Sequence, residues 1–267
     1  EDNNQLAVAL TMTVPLLYWM YRRYPQRWAK WALMGSIGLV TVSILGSHSR
    51  GALLAVGAMG IFMVAKSDRK GLAAFLFVVG AGVAITFMPD EYWGRMKSIE
   101  TYDHDESAYG RLNAWQTAIN IANSRITGGG FNYTGGPVFA IYAPDPRDVK
   151  TAHSIYFQAL GEHGWIGLAL FLAIWWVAWR NCGAAVRRFK AIAGGESMSL
   201  LASMLQVSLV GFLVGGAFVN IGYWDFPFYI AAIGFALRTA RPDAQVVPSA
   251  QTPPAQPPRR GLLALRS

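Results

Sequence analysis

The chain has 267 residues, of which 53% are hydrophobic and only 14% are charged, and it contains ten Trp and fourteen Phe. This composition excludes an ordinary soluble domain and predicts a membrane protein. The formal net charge is +8, but the sequence has no basic-aromatic module of the kind that binds nucleic acid, so we predict no nucleic-acid partner.

Seven apolar runs approach the length that a helix needs to cross a bilayer, about 17 to 25 residues. They cover residues 4–21, 31–47, 51–65, 71–88, 154–179, 199–220 and 223–237. We therefore predict an all-α fold, a polytopic membrane helical bundle of about seven transmembrane helices. The predicted parts are helices one to four in 1–88, a loop or cap in 89–152, helices five to seven in 153–237, and a disordered, Pro-rich tail in 238–267.

Basic residues are distributed unevenly between the two sides of this predicted bundle. Segments 22–30, 66–70, 180–198 and the tail after Leu237 hold 16 of the 23 Lys and Arg. The opposite side holds seven, together with eight acidic residues between Asp90 and Asp148. The positive-inside rule therefore places the cap outside and the tail in the cytoplasm.

The two ends of the chain and its cysteine content support further expectations. The chain starts without Met and enters a helix almost directly at Gln5, so we expect it to be the C-terminal part of a longer protein. Cys182 is the single cysteine, and we expect it in a cytoplasmic loop. One cysteine excludes a disulfide framework and a cysteine-based metal site.

Arg50 interrupts the apolar pattern in "LGSHSRGALL", between the second and third predicted helices. The flanking apolar runs are short, so this hairpin could turn below the outer surface. An arginine there is costly, about 2.5 to 3.5 kcal/mol at a helix centre, and should have an anionic partner. Gly51 would let another group approach the backbone. Two interpretations remain open: Arg50 binds substrate, or it lies in a tight interfacial turn and its side chain extends to lipid phosphate.

A second candidate, Arg111, lies in the long outer segment. From Gly110 to Ser124 the apolar residues recur at spacings of three and four, which predicts an amphipathic helix outside the membrane. Arg111 and Trp115 are four residues apart and share a face of it. The helix should end before "GGG", whose backbone could turn the chain back towards a ligand. Alternatively, Arg111 pairs with an acid of "DHDES".

Histidines supply the third candidate. His153 opens the fifth predicted helix, which also carries Tyr156, and a histidine with a pKa near 6.5 can exchange a proton at neutral pH. An ordinary interfacial ring is the alternative. His163 has Glu162 beside it as an expected partner, and His104 lies in an acidic run without metal-ligand spacing. We therefore predict no metal site.

Six stretches follow one another along the chain: "SRGALL", "GRLNAW", "GGGF", "YAPDPRDV", "AHSIYFQALGEHGWIGL" and "MLQVSLVGFLVGGAF". In this order they resemble the O-antigen ligase/polymerase superfamily of bacterial inner membranes. They most closely resemble the O-glycosylation ligases associated with exosortase A systems. The resemblance extends over nearly the whole chain, to about Leu237.

The resemblance implies a multi-pass inner-membrane protein whose cap and active face are periplasmic. It implies glycan transfer from undecaprenyl diphosphate to a hydroxyl acceptor of protein or glycan, with membrane lipid as a further partner and no cofactor. Its arginine and histidine motifs fall on Arg50, Arg111 and His153, which would be the catalytic residues. Substrate binding would involve Arg50, Arg111, Trp115 and Tyr156.

The predicted function is therefore a metal-independent membrane glycosyltransferase of the O-glycan or O-antigen ligase type. A polysaccharide polymerase is the first alternative. A transporter of lipid-linked glycans would need polar groups along a pathway within the membrane, for which Asn220 and Asp225 are the nearest candidates. A scaffold for an envelope-processing complex is the third.

Overall fold

The computed structural model describes residues 2–47, 49–67, 70–71, 74–75, 78–80, 82, 106–135 and 137–240. Within these residues every regular element is a helix, which confirms the predicted all-α class. Most of the predicted span 71–88, the part of the cap before residue 106 with His104, and the predicted disordered tail beyond residue 240 lie outside the described residues.

The helices follow each other in chain order as follows: α1 Asp2–Arg23, α2 Arg27–Gly46, α3 Arg50–Lys66, α4 Glu106–Ser124, α5 Pro137–Tyr142, α6 Ile155–Lys190, α7 Glu196–Gly215 and α8 Asp225–Thr239. A short 3-10 helix, Gly216–Phe218, continues directly from α7. Among the described residues, three segments are long and apolar enough to cross a membrane, namely Arg27–Gly46, Ile155–Lys190 and Glu196–Phe218. The prediction of seven transmembrane helices and of a periplasmic cap remains a prediction.

Helix α7 lies at the centre of the bundle and packs against α1, α3 and α6. Small residues allow the close approach, since a Cβ on Gly215 would lie 2.9 Å from the side chain of Val8 on α1. The same face contributes Leu205, Leu209 and Phe212 to the largest buried apolar cluster. The central position of α7 explains how its C-terminal end reaches the residues described below.

Helix α2 lies at the edge and exposes most of its apolar surface, with Trp28 75% and Trp31 73% exposed. A soluble protein would bury such a helix. In a membrane, lipid chains are as apolar as leucine, so these side chains need no protein partner.

Helix α6 corrects two details of the sequence prediction. The predicted span ended at residue 179, but the helix continues to Lys190, because residues 180–190 lack a helix-breaking proline and pack their apolar side against α7 and α8. Cys182, predicted in a cytoplasmic loop, is instead fully buried in α6. Its Sγ lies against Gly234 of α8, where a side chain would have no room.

The outer segment contains the predicted amphipathic helix, now α4, which begins four residues earlier than expected at Glu106. Its packed face carries Ala114, Thr117, Ala118 and Ile121, which are all fully buried. Helix α5 was not predicted. It begins with Pro137 at the first helical position, where the missing N–H of proline costs no hydrogen bond.

Candidate functional site

Arg50 is the first residue of α3 and is half-buried. Ser49 caps this helix, since its side chain accepts a hydrogen bond from the N–H of Ala52 at 3.2 Å. A Cβ on Gly51 would lie 2.9 Å from the Cβ of Phe218 in the 3-10 helix, so the predicted close approach at Gly51 is confirmed. Arg50 thus belongs to the N-terminal turn of α3, and a guanidinium and a helix N-terminus both favour negative charge nearby.

Arg111 lies in the second turn of α4 and is half-buried. The helix is held to the segment that precedes His153 by Asn113, a buried residue. The side-chain amide of Asn113 donates to the carbonyls of Asp145 (2.9 Å) and Asp148 (3.0 Å), and its oxygen accepts from the Asp145 N–H (3.0 Å). These hydrogen bonds set the distance between the α4 backbone and residues 145–148.

Trp115, one turn after Arg111, connects α4 directly with the neighbourhood of His153. Its indole N–H donates to the carbonyl of Ala152 at 2.7 Å. One ring face stacks on Phe157, with centroids 4.7 Å apart and planes 11° from parallel. The indole N–H thus already has a hydrogen-bond partner in the protein. The predicted substrate contact of Trp115 would therefore involve the part of the ring that does not stack on Phe157.

Tyr156 also has an internal partner. Its hydroxyl donates to the carbonyl of Leu213 on α7 at 2.7 Å. This hydrogen bond joins the start of α6 to the end of α7. A substrate contact of Tyr156, which the sequence predicted, would therefore use its ring or the lone pairs of its oxygen.

His153 stands between α4 and α6 with a backbone φ of 45°. A side chain in this left-handed region costs on the order of 1–3 kcal/mol and persists only where the surroundings impose it. The ring Nδ1 lies 2.9 Å from the carbonyl oxygen and 3.1 Å from the hydroxyl of Thr151. Because a carbonyl only accepts, the 2.9 Å contact is a hydrogen bond in the tautomer with the proton on Nδ1, and in that tautomer the lone pair is on Nε2.

Contacts on both sides of His153 join the elements that carry the two arginines. On one side Ala152 is bonded to Trp115 of α4. On the other, the N–H of Ser154 donates to Oδ1 of Asn220 at 3.2 Å, and Asn220 follows the 3-10 helix whose Phe218 packs on Gly51. Arg50 and Arg111 therefore lie on two elements that reach the His153 segment from different sides: α4 directly, and α3 through the 3-10 helix.

A second polar cluster was only partly visible in the sequence. The expected pairing of His163 with Glu162 is present, with Nε2 and Oε2 3.8 Å apart. The sequence did not reveal Tyr223, whose hydroxyl donates to Glu162 and lies 2.9 Å from Nε2 of His163. Partial burial, and then the hydrogen bond and charge of Glu162, raise the pKa of Tyr223, so this phenol stays protonated as a donor.

The glycine triplet after α4 also has a partner that its sequence did not indicate. Helix α6 is interrupted at Gly164, with φ 68° and ψ −170°, which leaves carbonyls without helical donors. Gly129 donates to the carbonyl of Gly161 (2.7 Å) and Gly130 to that of Glu162 (3.0 Å). The triplet was expected to turn towards a ligand, and its observed contacts are with the break in α6.

Two cavities adjoin these residues. The α6 groove, about 510 Å³, is lined mainly by apolar side chains, including Ile166, Leu170, Ile174 and Phe228, and ends at His163 and Tyr223. The α4 cavity, about 440 Å³, is lined by residues that include Tyr109, Leu112, Trp115, Gln116 and Phe157. The first suits a hydrocarbon chain, and the second offers aromatic surface together with an amide.

Metal binding finds no support in the part of the chain that the structure describes, where no three His, Cys, Asp or Glu side chains group as a metal site. The candidate His104 lies outside that part.

Comparison with known protein families gives one match, to the family described as O-antigen ligase, over residues 35–172. This range is more than half of the chain and includes Arg50, Arg111, Trp115, His153 and Tyr156. No curated protein matches the chain.

Proposed function

Because the chain belongs to the O-antigen ligase family, we propose that it transfers a glycan from a polyprenyl diphosphate to an acceptor hydroxyl at the periplasmic face of the bacterial inner membrane. The family supports a membrane enzyme of the glycan ligase or polymerase type. Undecaprenyl diphosphate as the carrier, a subtype associated with exosortase A systems and independence of metal are parts of the proposal.

The reaction assigns a role to each candidate residue. The acceptor oxygen attacks the anomeric carbon, its proton passes to Nε2 of His153, and the bond between the sugar and the diphosphate breaks. Arg50 and Arg111 stabilise the negative charge that grows on the leaving diphosphate. A single displacement of this kind needs no covalent enzyme intermediate.

One observation carries the proposal: hydrogen bonds hold the backbone on both sides of His153, through Ala152 to α4 and through Ser154 to Asn220. A general base must be held within hydrogen-bond reach of the proton that it removes. The role requires the tautomer in which Nδ1 donates to the carbonyl of Thr151 and the lone pair is on Nε2, and the Nδ1 contact supports that tautomer.

The cavities suggest where the rest of the donor binds. The α6 groove lies on a helix that can cross a membrane, so a polyprenyl chain could enter it from the bilayer. The first sugar would lie at the α4 cavity, where Trp115 and Tyr109 supply ring surfaces and Gln116 a polar group.

The test follows release of free polyprenyl diphosphate by the full-length protein in proteoliposomes with a polyprenyl-diphosphate-linked glycan. Peptide and glycan acceptors are supplied separately to identify the acceptor of a ligase, whereas growth of the lipid-linked glycan itself would indicate a polymerase. We expect His153→Ala to lower release by about 10²-fold or more, the usual contribution of a general base, and a chelator to have no effect. Normal release by a well-inserted His153→Ala protein would remove this histidine from the mechanism.

A further inference from the structure

Asn220 lies in the connection between the 3-10 helix and α8, far in sequence from the residue that it contacts. Its Oδ1 accepts the hydrogen bond of the Ser154 N–H at 3.2 Å. Ser154 is 1% exposed and occupies the N-cap of α6, but its own side chain makes no capping hydrogen bond. Asn220 therefore satisfies a buried donor at the start of α6, where the first N–H groups have no partner within the helix.

This donor belongs to the residue that immediately follows His153. The left-handed φ of His153, 45°, is not a conformation that the chain adopts without restraint. Trp115 holds the preceding carbonyl, that of Ala152, at 2.7 Å. Asn220 and Trp115 thus hold the two peptide groups that flank His153 and determine the direction of its Cα–Cβ bond.

Asn220 is itself placed by the turn that contacts α3. Two residues earlier, Phe218 packs against Gly51 of α3, where an added Cβ would lie 2.9 Å from the Cβ of Phe218. Gly216, at the start of the same turn, packs against Ile155, the residue after Ser154. The short segment 216–220 therefore contacts the N-terminal turn of α3, with Arg50, and the start of α6, next to His153.

We propose that Asn220 is a positioning residue, whose contact with the Ser154 N–H holds His153 in its left-handed conformation and directs Nε2 towards the acceptor hydroxyl. The proposal rests on the proposed glycan transfer for its catalytic consequence. Asn220, which the sequence suggested only as a polar group on a transport pathway, acts on the base through the backbone.

The variants Asn220→Ala and Asn220→Asp separate positioning from packing. Alanine removes the acceptor atom, so we expect kcat to fall at least about tenfold, since a displacement of about 1 Å at a catalytic group can lower the rate about 10²-fold, with the donor KM unchanged. Aspartate keeps an oxygen for the Ser154 N–H and should restore most of kcat.

Asn123→Ala is the matched control. Asn123 also accepts a hydrogen bond through Oδ1, from the indole N–H of Trp165 at 3.0 Å, but it does not contact the His153 segment. Kinetics of Asn123→Ala should match the parent. Unchanged kcat in Asn220→Ala would overturn the proposal, as would equal losses of kcat and of thermal stability in the alanine and aspartate variants.

A chemical measurement tests the same contact without transfer activity. The rate at which diethyl pyrocarbonate modifies His153 is followed by mass spectrometry, with His163 as the internal reference. We expect Asn220→Ala to change the modification rate of His153 severalfold and Asn220→Asp to restore it. The modification rate of His163 should not change in either variant. If the parent transfers no glycan, the proposed function fails, while an unchanged His153 rate in Asn220→Ala overturns the positioning role.

Discussion

Arg50 is the first residue of α3, so a guanidinium and a helix N-terminus, which both favour negative charge, belong to the same helical turn. Ser49 already satisfies the N–H of Ala52, so the helix start is ordered before any ligand binds. Arginine presents donors in a rigid fork that matches phosphate oxygens, whereas lysine offers a single flexible ammonium. The residue type at this position therefore matters more than its charge.

We expect Arg50→Lys to lower kcat/KM for the lipid-linked donor about tenfold or more, because a hydrogen bond to a charged group is worth about 1.5 to 3 kcal/mol. Steady-state kinetics in proteoliposomes measure this ratio. Arg147→Lys is the control, since the Arg147 side chain is 93% exposed and pairs only with Asp145 at 3.5 Å among the described contacts. Near-normal turnover in Arg50→Lys would make Arg50 an interfacial anchor.

Contacts between residues that are adjacent in sequence could be predicted, whereas contacts between distant residues could not. Adjacent residues such as Glu162 and His163 could be paired from the sequence because only one peptide bond separates them. Tyr223, which donates to Glu162, lies about 60 positions away and carries no local signal of that contact. The hydrogen bonds from Asn113 to the backbone of residues 145–148 could not be predicted for the same reason.

Among the elements, α3 offers a direct test of the contact that supports Arg50. At Gly51 a new methyl group would lie 2.9 Å from Phe218, whereas at Gly57 nothing lies within 4 Å. We expect Gly51→Ala to destabilise the protein by about 1–3 kcal/mol through overpacking. Gly57→Ala should be neutral or stabilising, by up to about 1 kcal/mol, since alanine favours helix.

Thermal unfolding in detergent compares the two variants of α3. Transfer assays at a permissive temperature then show whether displacement of Phe218 also lowers kcat, as the link from Gly51 to Asn220 predicts. Equal midpoint temperatures of unfolding for Gly51→Ala and Gly57→Ala would contradict the packing of α3 against the 3-10 helix.

The proposed lipid site can be tested on α6. Leu170 lines the α6 groove and is 62% exposed, so Leu170→Trp should occlude the groove and raise the donor KM by about tenfold, the scale of a misfitting apolar group. Leu172→Trp is the control, since Leu172 is on the same helix, 43% exposed, and outside the groove. Equal donor KM values in the two variants would exclude the groove as the chain site.

For the whole molecule, the charge distribution predicts which end of the bundle faces the cytoplasm. Ala140 on α5 and Ala193 between α6 and α7 are both exposed, and the native Cys182 is fully buried. In spheroplasts, a membrane-impermeant maleimide should label Ala140→Cys directly and Ala193→Cys only after permeabilisation. The reverse labelling pattern would refute the predicted orientation and the periplasmic active face.

The sequence by itself determined the membrane class, the all-helical fold, the positions of several helices and the O-antigen ligase family, because hydropathy, charge and motif order are properties of short stretches of chain. It also singled out Arg50, Arg111 and His153, since polar residues in apolar surroundings are conspicuous. Only the tertiary structure decided that the glycine triplet contacts the break in α6 and that Asn220 meets Ser154. Both contacts join residues that are distant in sequence, and the second arises because the packing of α7 brings the 3-10 helix that follows it against α3 and α6.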